Sequence, residues 1–248
     1  MKETQAIIER VTRVNETHQH LHLAVDQSLH NLKAGQSVLA RVNETWDPYL
    51  RQQWWPVRLE KKALVVERPN TERYEPSQVV NLLGVVGQPY RFRRTLRNVL
   101  LVAFDTEPTP LLMTIPALLA NRVSVTLLLL GDGVKYGTEY LPPEVEVIHG
   151  DPEMNWPNRV TTVGWADQVF VTVKPEGEIG HFQRVWALFR ELRAEIPQAY
   201  LFGVFRPILP CGIGACGACL IRTKGENSFA CLEGPAFDLT QVNLTQGK

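Results

Sequence analysis

The chain has 248 residues, enough for two compact domains or for one domain with smaller appendages. Hydrophobic residues make up 44% and charged residues 21%, which suits an ordinary globular protein and excludes a disordered or fibrous one. Lys plus Arg equals Asp plus Glu at 26 each, so the chain lacks the basic footprint that nucleic acid demands.

The N-terminal MKETQAIIERVTRV has no apolar signal core, so a cytoplasmic rather than a secreted protein is expected. Residues 1–95 then show short runs that alternate apolar and polar side chains: Ala6–Val11, His20–Val25, Ser37–Val42, Ala63–Val66 and Gln78–Leu83. A period of two predicts half-buried antiparallel strands, and turn material such as Lys33-Ala34-Gly35-Gln36 separates them. A small antiparallel β-barrel follows. His18, His20 and His22 alternate along one of these strands; with no neighbouring carboxylate in the sequence, they are expected on a solvated strand face.

Residues 96–205 change texture. Apolar runs at Val99–Ala103, Ser124–Leu130, Val145–Ile148, Gln168–Val173 and Ala199–Val204 alternate with helical stretches at Pro110–Ala120 and Ile179–Ile196. In the second of these, Phe182, Val185, Trp186, Phe189, Leu192 and Ile196 recur at steps of three and four and form one face. The alternation predicts a parallel sheet covered by helices. The most apolar stretch, from Val99 to Leu130, is broken by Asp105, Glu107, prolines, Asn121 and Arg122, so membrane insertion is not expected. The basic run Arg91, Arg93, Arg94 and Arg97 reads as a solvated linker between the two regions.

Residues 206–248 are loop-like, end in a tail expected to fray, and hold all four cysteines. Cys211, Cys216 and Cys219 are spaced C-x4-C-x2-C, and Cys231 follows after eleven residues, which is the plant-type spacing for a [2Fe–2S] cluster. Such a cluster needs several thiolates converging from one tight loop, with backbone N–H groups turned toward the sulfur. Gly212, Gly214 and Gly217 supply the necessary backbone freedom, and the small Ala215 and Ala218 leave room for the inorganic core. A disulfide pair would need an oxidising compartment, and structural zinc usually takes two short knuckles rather than a triple and a lone cysteine. With every cysteine assigned, no catalytic Cys/His arrangement is left.

The string Cys211-Gly-Ile-Gly-Ala-Cys216-Gly-Ala-Cys219, with the later Ala230-Cys231-Leu-Glu-Gly-Pro235-Ala-Phe237, resembles the ferredoxin-reductase-like electron-transfer subunit of dihydroorotate dehydrogenase. The order of a barrel, an α/β region and a cysteine loop extends the resemblance over nearly the whole chain. It implies a multidomain β plus α/β protein: an antiparallel β-barrel over 1–95 that holds FAD, a nucleotide-binding-like parallel sheet over 96–205 that meets NAD(H), and a [2Fe–2S] region over 206–248. It also implies a hetero-oligomer with an FMN-containing partner oxidoreductase, a role in pyrimidine biosynthesis, and a pairing of Cys211 with Cys216 on one iron and Cys219 with Cys231 on the other.

Two segments depart from that pattern. The family's glycine-rich dinucleotide turn corresponds here to Val102–Pro110, and no glycine occurs between Gly87 and Gly131. Asp105 and Glu107 would set carboxylates beside the phosphates, and Pro108 and Pro110 lack N–H donors, so an NAD(H) site is not expected. The family's flavin-binding Arg-Pro-x-Ser strand aligns with Tyr49–Pro56, where Arg51 remains as the candidate FAD-phosphate partner and the Pro and Ser are missing. A second family turn, Gly-x-Gly-Thr, is replaced around Glu72-Arg73-Tyr74-Glu75. FAD retention is therefore open, with Trp54 or Trp55 available to stack on a flavin. The expected function is an electron-transfer subunit; the alternatives are a flavin-free iron–sulfur adaptor or structural subunit, and a zinc-stabilised interaction module.

Overall fold

A computed structural model describes residues 1–42, 49–61 and 63–244. The expected fraying of the tail ending in Thr245–Lys248 lies outside the described residues. The first seven strands are β1 (Lys2–Arg13), β2 (His18–Ala24), β3 (Ser37–Arg41), β4 (Gln52–Trp54), β5 (Pro56–Leu59), β6 (Ala63–Pro69) and β7 (Val79–Val86). They pair antiparallel in the order β4-β3-β7-β1-β2-β6-β5. Only Trp55 separates the two edge strands in the chain, so the sheet curls until its edges meet and nearly closes. Fully buried Ile8, Leu21, Leu23, Trp54, Leu64 and Leu82 fill the interior.

All five alternating runs of the sequence are strands. β4 and β5 are not visible as a pattern, because Gln52-Gln53-Trp54-Trp55-Pro56 never alternates in polarity. β7 shows the period of two cleanly, with every second residue buried. In contrast β2 is buried on both faces from Gln19 to Leu23, because its outer face lies under the α/β region. His20 and His22 are therefore buried, at 4% and 5% exposure, which corrects the solvated face expected from the sequence. The carboxylates that the sequence did not put beside them come from β6 and the turn before it: Glu67 lies 3.3 Å from His20, and Glu60 lies 3.4 Å from His22.

The second sheet is built from β8 (Asn98–Phe104), β9 (Ser124–Leu130), β10 (Val145–Gly150), β11 (Gln168–Val173) and β12 (Leu201–Val204). The last region adds a short hairpin, β13 (Leu220–Arg222) with β14 (Asn227–Phe229), and then β15 (Ala236–Asp238). The sheet order is β10-β9-β8-β11-β12-β15, parallel throughout except for β15, which runs against β12. β8 and β9 are buried nearly end to end, as continuous apolar strands covered on both faces must be. The strand order reverses at β8, so the turn that follows its C-terminal end is where an open α/β sheet presents a crevice.

The helices are α1 (Thr109–Leu112), α2 (Ile115–Ala120), α3 (Arg159–Trp165) and α4 (Glu178–Leu192). The helix predicted over Pro110–Ala120 is split in two. Pro116 cannot donate back into the preceding turn, so the helix restarts with that proline in its first turn. α4 buries Phe182, Val185, Leu188 and Phe189 and ends at Leu192, where Arg193 turns extended. Arg93, expected as a solvated linker residue, donates to the carbonyls of Ala199 and Gln198 and ties the barrel exit to the sheet. Among the described residues, no helix is long and apolar enough to cross a membrane.

Candidate iron–sulfur site

The cysteine loop is seated at the junction of the barrel and the sheet. Gly87 N–H donates to the Cys231 carbonyl at 3.0 Å, Gln88 N–H to that of Gly234 at 2.6 Å, and the Gln88 side chain to that of Leu232 at 2.8 Å. From the other side, Phe205 N–H donates to the Pro235 carbonyl at 2.9 Å. Cys219, Ala230 and Cys231 belong to one apolar cluster with Leu39 and Val86 of the barrel and with Phe182 and Phe205 beneath the sheet. The loop is therefore held by both neighbours.

The glycines do what the spacing suggested. Gly212, Gly214 and Gly217 have φ of +66°, +74° and +71°, which L side chains rarely adopt. At Gly212 a Cβ would meet Leu39 at 3.0 Å, and at Gly214 it would meet Leu232 at 2.5 Å. The turns they allow aim amides at sulfur: Gly214 N–H donates to Cys231 Sγ at 3.1 Å. Backbone N–H groups of Ile213 and Cys216 bond to the Cys211 sulfur and hold its thiol down to about 7. Burial pushes the Cys231 thiol up to about 12, with the adjacent Cys219 adding to the effect.

The sulfurs stand as two pairs. Cys219 Sγ lies 3.3 Å from Cys231 Sγ, both buried, while the free thiols of Cys211 and Cys216 are joined by a hydrogen bond on the outer side, where Cys216 is exposed. Among the described residues, no group of three or more His, Cys, Asp or Glu side chains is arranged around one ion. Soft thiolates, inward amides and space guaranteed by glycine suit an iron–sulfur cluster.

Residues 207–243 match the family model for the iron-sulfur cluster binding domain of dihydroorotate dehydrogenase B. The last part of the chain is therefore similar to an iron–sulfur domain of that family. Over 40 residues the chain is also 51% identical to an uncharacterised protein encoded in the adh 3′ region of Clostridium beijerinckii, a match spanning 16% of this chain and only 14% of that protein. The whole chain resembles the solved NADH-dependent reduced ferredoxin-NADP oxidoreductase, with a TM-score of 0.72 at 17% identity, covering 96% of this chain and 90% of the other. The cytochrome b5 reductase domain of Ulva prolifera nitrate reductase aligns with a TM-score of 0.55 at 10% identity, over 81% of this chain and 97% of that one. Flavohemoglobin from Malassezia yamatoensis, solved with bound FAD and heme, gives 0.56 at 16% identity over 82% and 60%. The fold is thus ferredoxin-reductase-like, with the iron–sulfur domain at its C-terminal end.

The two segments that depart from the family pattern meet in one cleft of about 570 Å³ between the barrel, the sheet and the start of the iron–sulfur domain. Arg51, the candidate flavin-phosphate partner, lines it, but donates to Glu3 Oε1 at 2.5 Å and to the Asn81 carbonyl at 3.2 Å. The turn after β8 brings in Glu107 and Thr109. Asp105, at φ +54°, accepts from Asp132 N–H at 3.1 Å, so its carboxylate fills the mouth of that turn. Sequence reasoning missed Arg206, which donates to Glu107 at 3.1 Å, to Thr106 at 2.8 Å and to the Val173 carbonyl at 2.5 Å. It also missed Glu67, which accepts from Thr109, from Tyr136 at 2.6 Å and from Tyr140 at 3.1 Å. Neither has a local sequence signal, since their partners come from distant parts of the chain.

Proposed function

We propose that this chain is the electron-transfer subunit of an oxidoreductase, carrying a [2Fe–2S] cluster on Cys211, Cys216, Cys219 and Cys231. The two-and-two arrangement of sulfurs around one amide-lined loop carries the reading. A mononuclear zinc site would need four donors converging on one point at ~2.3 Å, whereas two pairs suit two irons, Cys211 with Cys216 and Cys219 with Cys231. Such a cluster exchanges single electrons when bound.

The chain's own residues set the conditions. The amides of Ile213, Gly214 and Cys216 neutralise part of the sulfur charge, which favours the reduced state. Burial of Cys219 and Cys231 keeps water from the inner side, while exposed Cys216 sets the outer edge within reach of a partner. The partner proposed is a catalytic subunit of the dihydroorotate dehydrogenase type containing FMN, in a cytoplasmic hetero-oligomer. Residues 1–95, 96–205 and 206–248 are proposed as barrel, sheet and cluster regions, with β15 lacing the third to the second.

Anaerobic purification tests this directly. Two irons and two acid-labile sulfides per chain are expected, with visible absorption that bleaches on reduction. Cys219→Ser should lose the visible bands. A colourless, iron-free protein with its thiols bridged or holding zinc would overturn the proposal, and a Cys219→Ser protein with full iron would overturn the ligand assignment.

A further inference from the structure

The cleft beside the iron–sulfur domain is lined by three guanidiniums, Arg51, Arg68 and Arg206, the charge a bound pyrophosphate would seek. Each already has a carboxylate. Arg51 holds Glu3, Arg68 grips Glu72 through two hydrogen bonds of 2.8 and 2.6 Å, and Arg206 holds Glu107. The side chains of the three arginines are only 16%, 14% and 8% exposed, so the guanidiniums are held close to the protein, while their carboxylate partners Glu3, Glu72 and Glu107 reach solvent at 54%, 31% and 40%. Glu67 and Glu176 line the same cleft beside Glu107, so a dianion entering it would face three carboxylates, with Glu3 and Glu72 already bonded to two of the lining arginines.

The aromatic candidates for flavin stacking are committed as well. Trp54 is fully buried, edge-on to Tyr74 at 5.7 Å, with the Arg68 guanidinium 5.3 Å over its ring. Trp55 lines the cleft but is only 7% exposed, packed into the apolar cluster with Leu101 and Phe170 that joins the barrel to the sheet. The residues present do not fit FAD.

We propose that Glu3, Glu72 and Glu107, as internal anions, engage the guanidiniums that a flavin dinucleotide's phosphates would need, and that this chain is a one-centre relay. The inference rests on the electron-transfer reading above and deepens it. One electron enters from an external one-electron carrier, either a reduced iron–sulfur protein or a flavin held by another chain, and that carrier is oxidised by one electron. One electron then leaves to the partner, which is reduced by one. No bond in this chain is made or broken, and it accepts no hydride.

The test uses the anaerobically purified full-length protein. Iron is assayed, flavin is released with acid and measured by fluorescence, FAD is titrated against the intact protein, and NADH and dithionite are compared as reductants. The result expected is iron without flavin, FAD fluorescence unchanged by the protein, and visible bands that bleach with dithionite but not with NADH. Stoichiometric FAD in the purified protein, saturable quenching of added FAD, or bleaching by NADH alone would overturn the one-centre proposal while leaving the iron–sulfur reading intact. Absence of iron would instead sink the electron-transfer reading, and the FAD titration would still report on the cleft.

Discussion

Gly214 combines three demands in one residue. Its φ of +74° excludes most side chains, the space where a Cβ would sit is taken by Leu232, and its N–H donates to Cys231 Sγ. Gly214→Ala should cost about 1–2 kcal/mol in backbone strain alone, and the push against Leu232 moves the loop that carries the sulfurs. The expected outcome is a clear loss of iron per chain with far-UV circular dichroism unchanged; full iron content would show that the loop tolerates the shift. The proposed site could be read from the sequence because every requirement of the loop is local. Cysteine spacing and intervening glycines describe a loop whose chemistry lies within 21 residues. Arg51 was legible only as a charge, because its partner Glu3 is 48 positions away.

At the scale of elements, strands and helices were readable wherever burial imposed one period. β4 escaped because its three residues are two amides and a tryptophan, β5 because it is a four-residue strand that opens on a proline, and α3 because it buries only Val163. Glu67 on β6 links the two sheets and was invisible for the same reason as Arg206. Burial works against its ionised form, but bonds from His20, Thr109 and Tyr136 overcome that and hold its carboxyl below the usual range. Glu67→Ala leaves these buried donors without an acceptor and should cost about 3–5 kcal/mol, read as a lower urea midpoint. Glu67→Gln keeps an acceptor and should lose less; equal losses would show that packing rather than the polar strut holds the sheets together.

The start of α4 gives a pH dependence. Burial raises the Glu178 carboxyl to about 7, opposed by the Arg206 N–H, which donates to it at 2.6 Å, and by the Arg206 guanidinium. Between the ordinary value of 4.5 and about 7, the folded chain holds a proton that the unfolded chain releases. This contribution to stability is therefore fully present below 4.5 and is lost as pH rises through about 7. Glu178→Gln should flatten the fall in stability across that window, measured by urea unfolding at several pH values. An unchanged slope would mean that Glu178 titrates normally.

For the whole molecule, barrel, sheet and iron–sulfur domain share apolar residues, so the cluster loop is a rigid corner of the protein. Apolar side chains of the cysteine loop and its neighbour also reach solvent there: Ile213 is 53% exposed and Leu232 39%, with exposed Cys216 on the same loop. Exposed apolar residues beside the proposed cluster suit the contact surface that the proposed partner requires, and with a formal net charge of zero the chain has little long-range field to steer it. Association should then depend on desolvation at this corner. Ile213→Asp would set a charge in the centre of the contact and is expected to weaken partner binding about tenfold, equivalent to about 1.4 kcal/mol. Iron content and visible spectrum should stay unchanged, because the Ile213 side chain points outward and only its N–H serves Cys211. Electron transfer measured against partner concentration separates the outcomes. A higher half-saturating concentration at the same maximal rate supports an apolar docking corner, and an unchanged curve places the partner on another face.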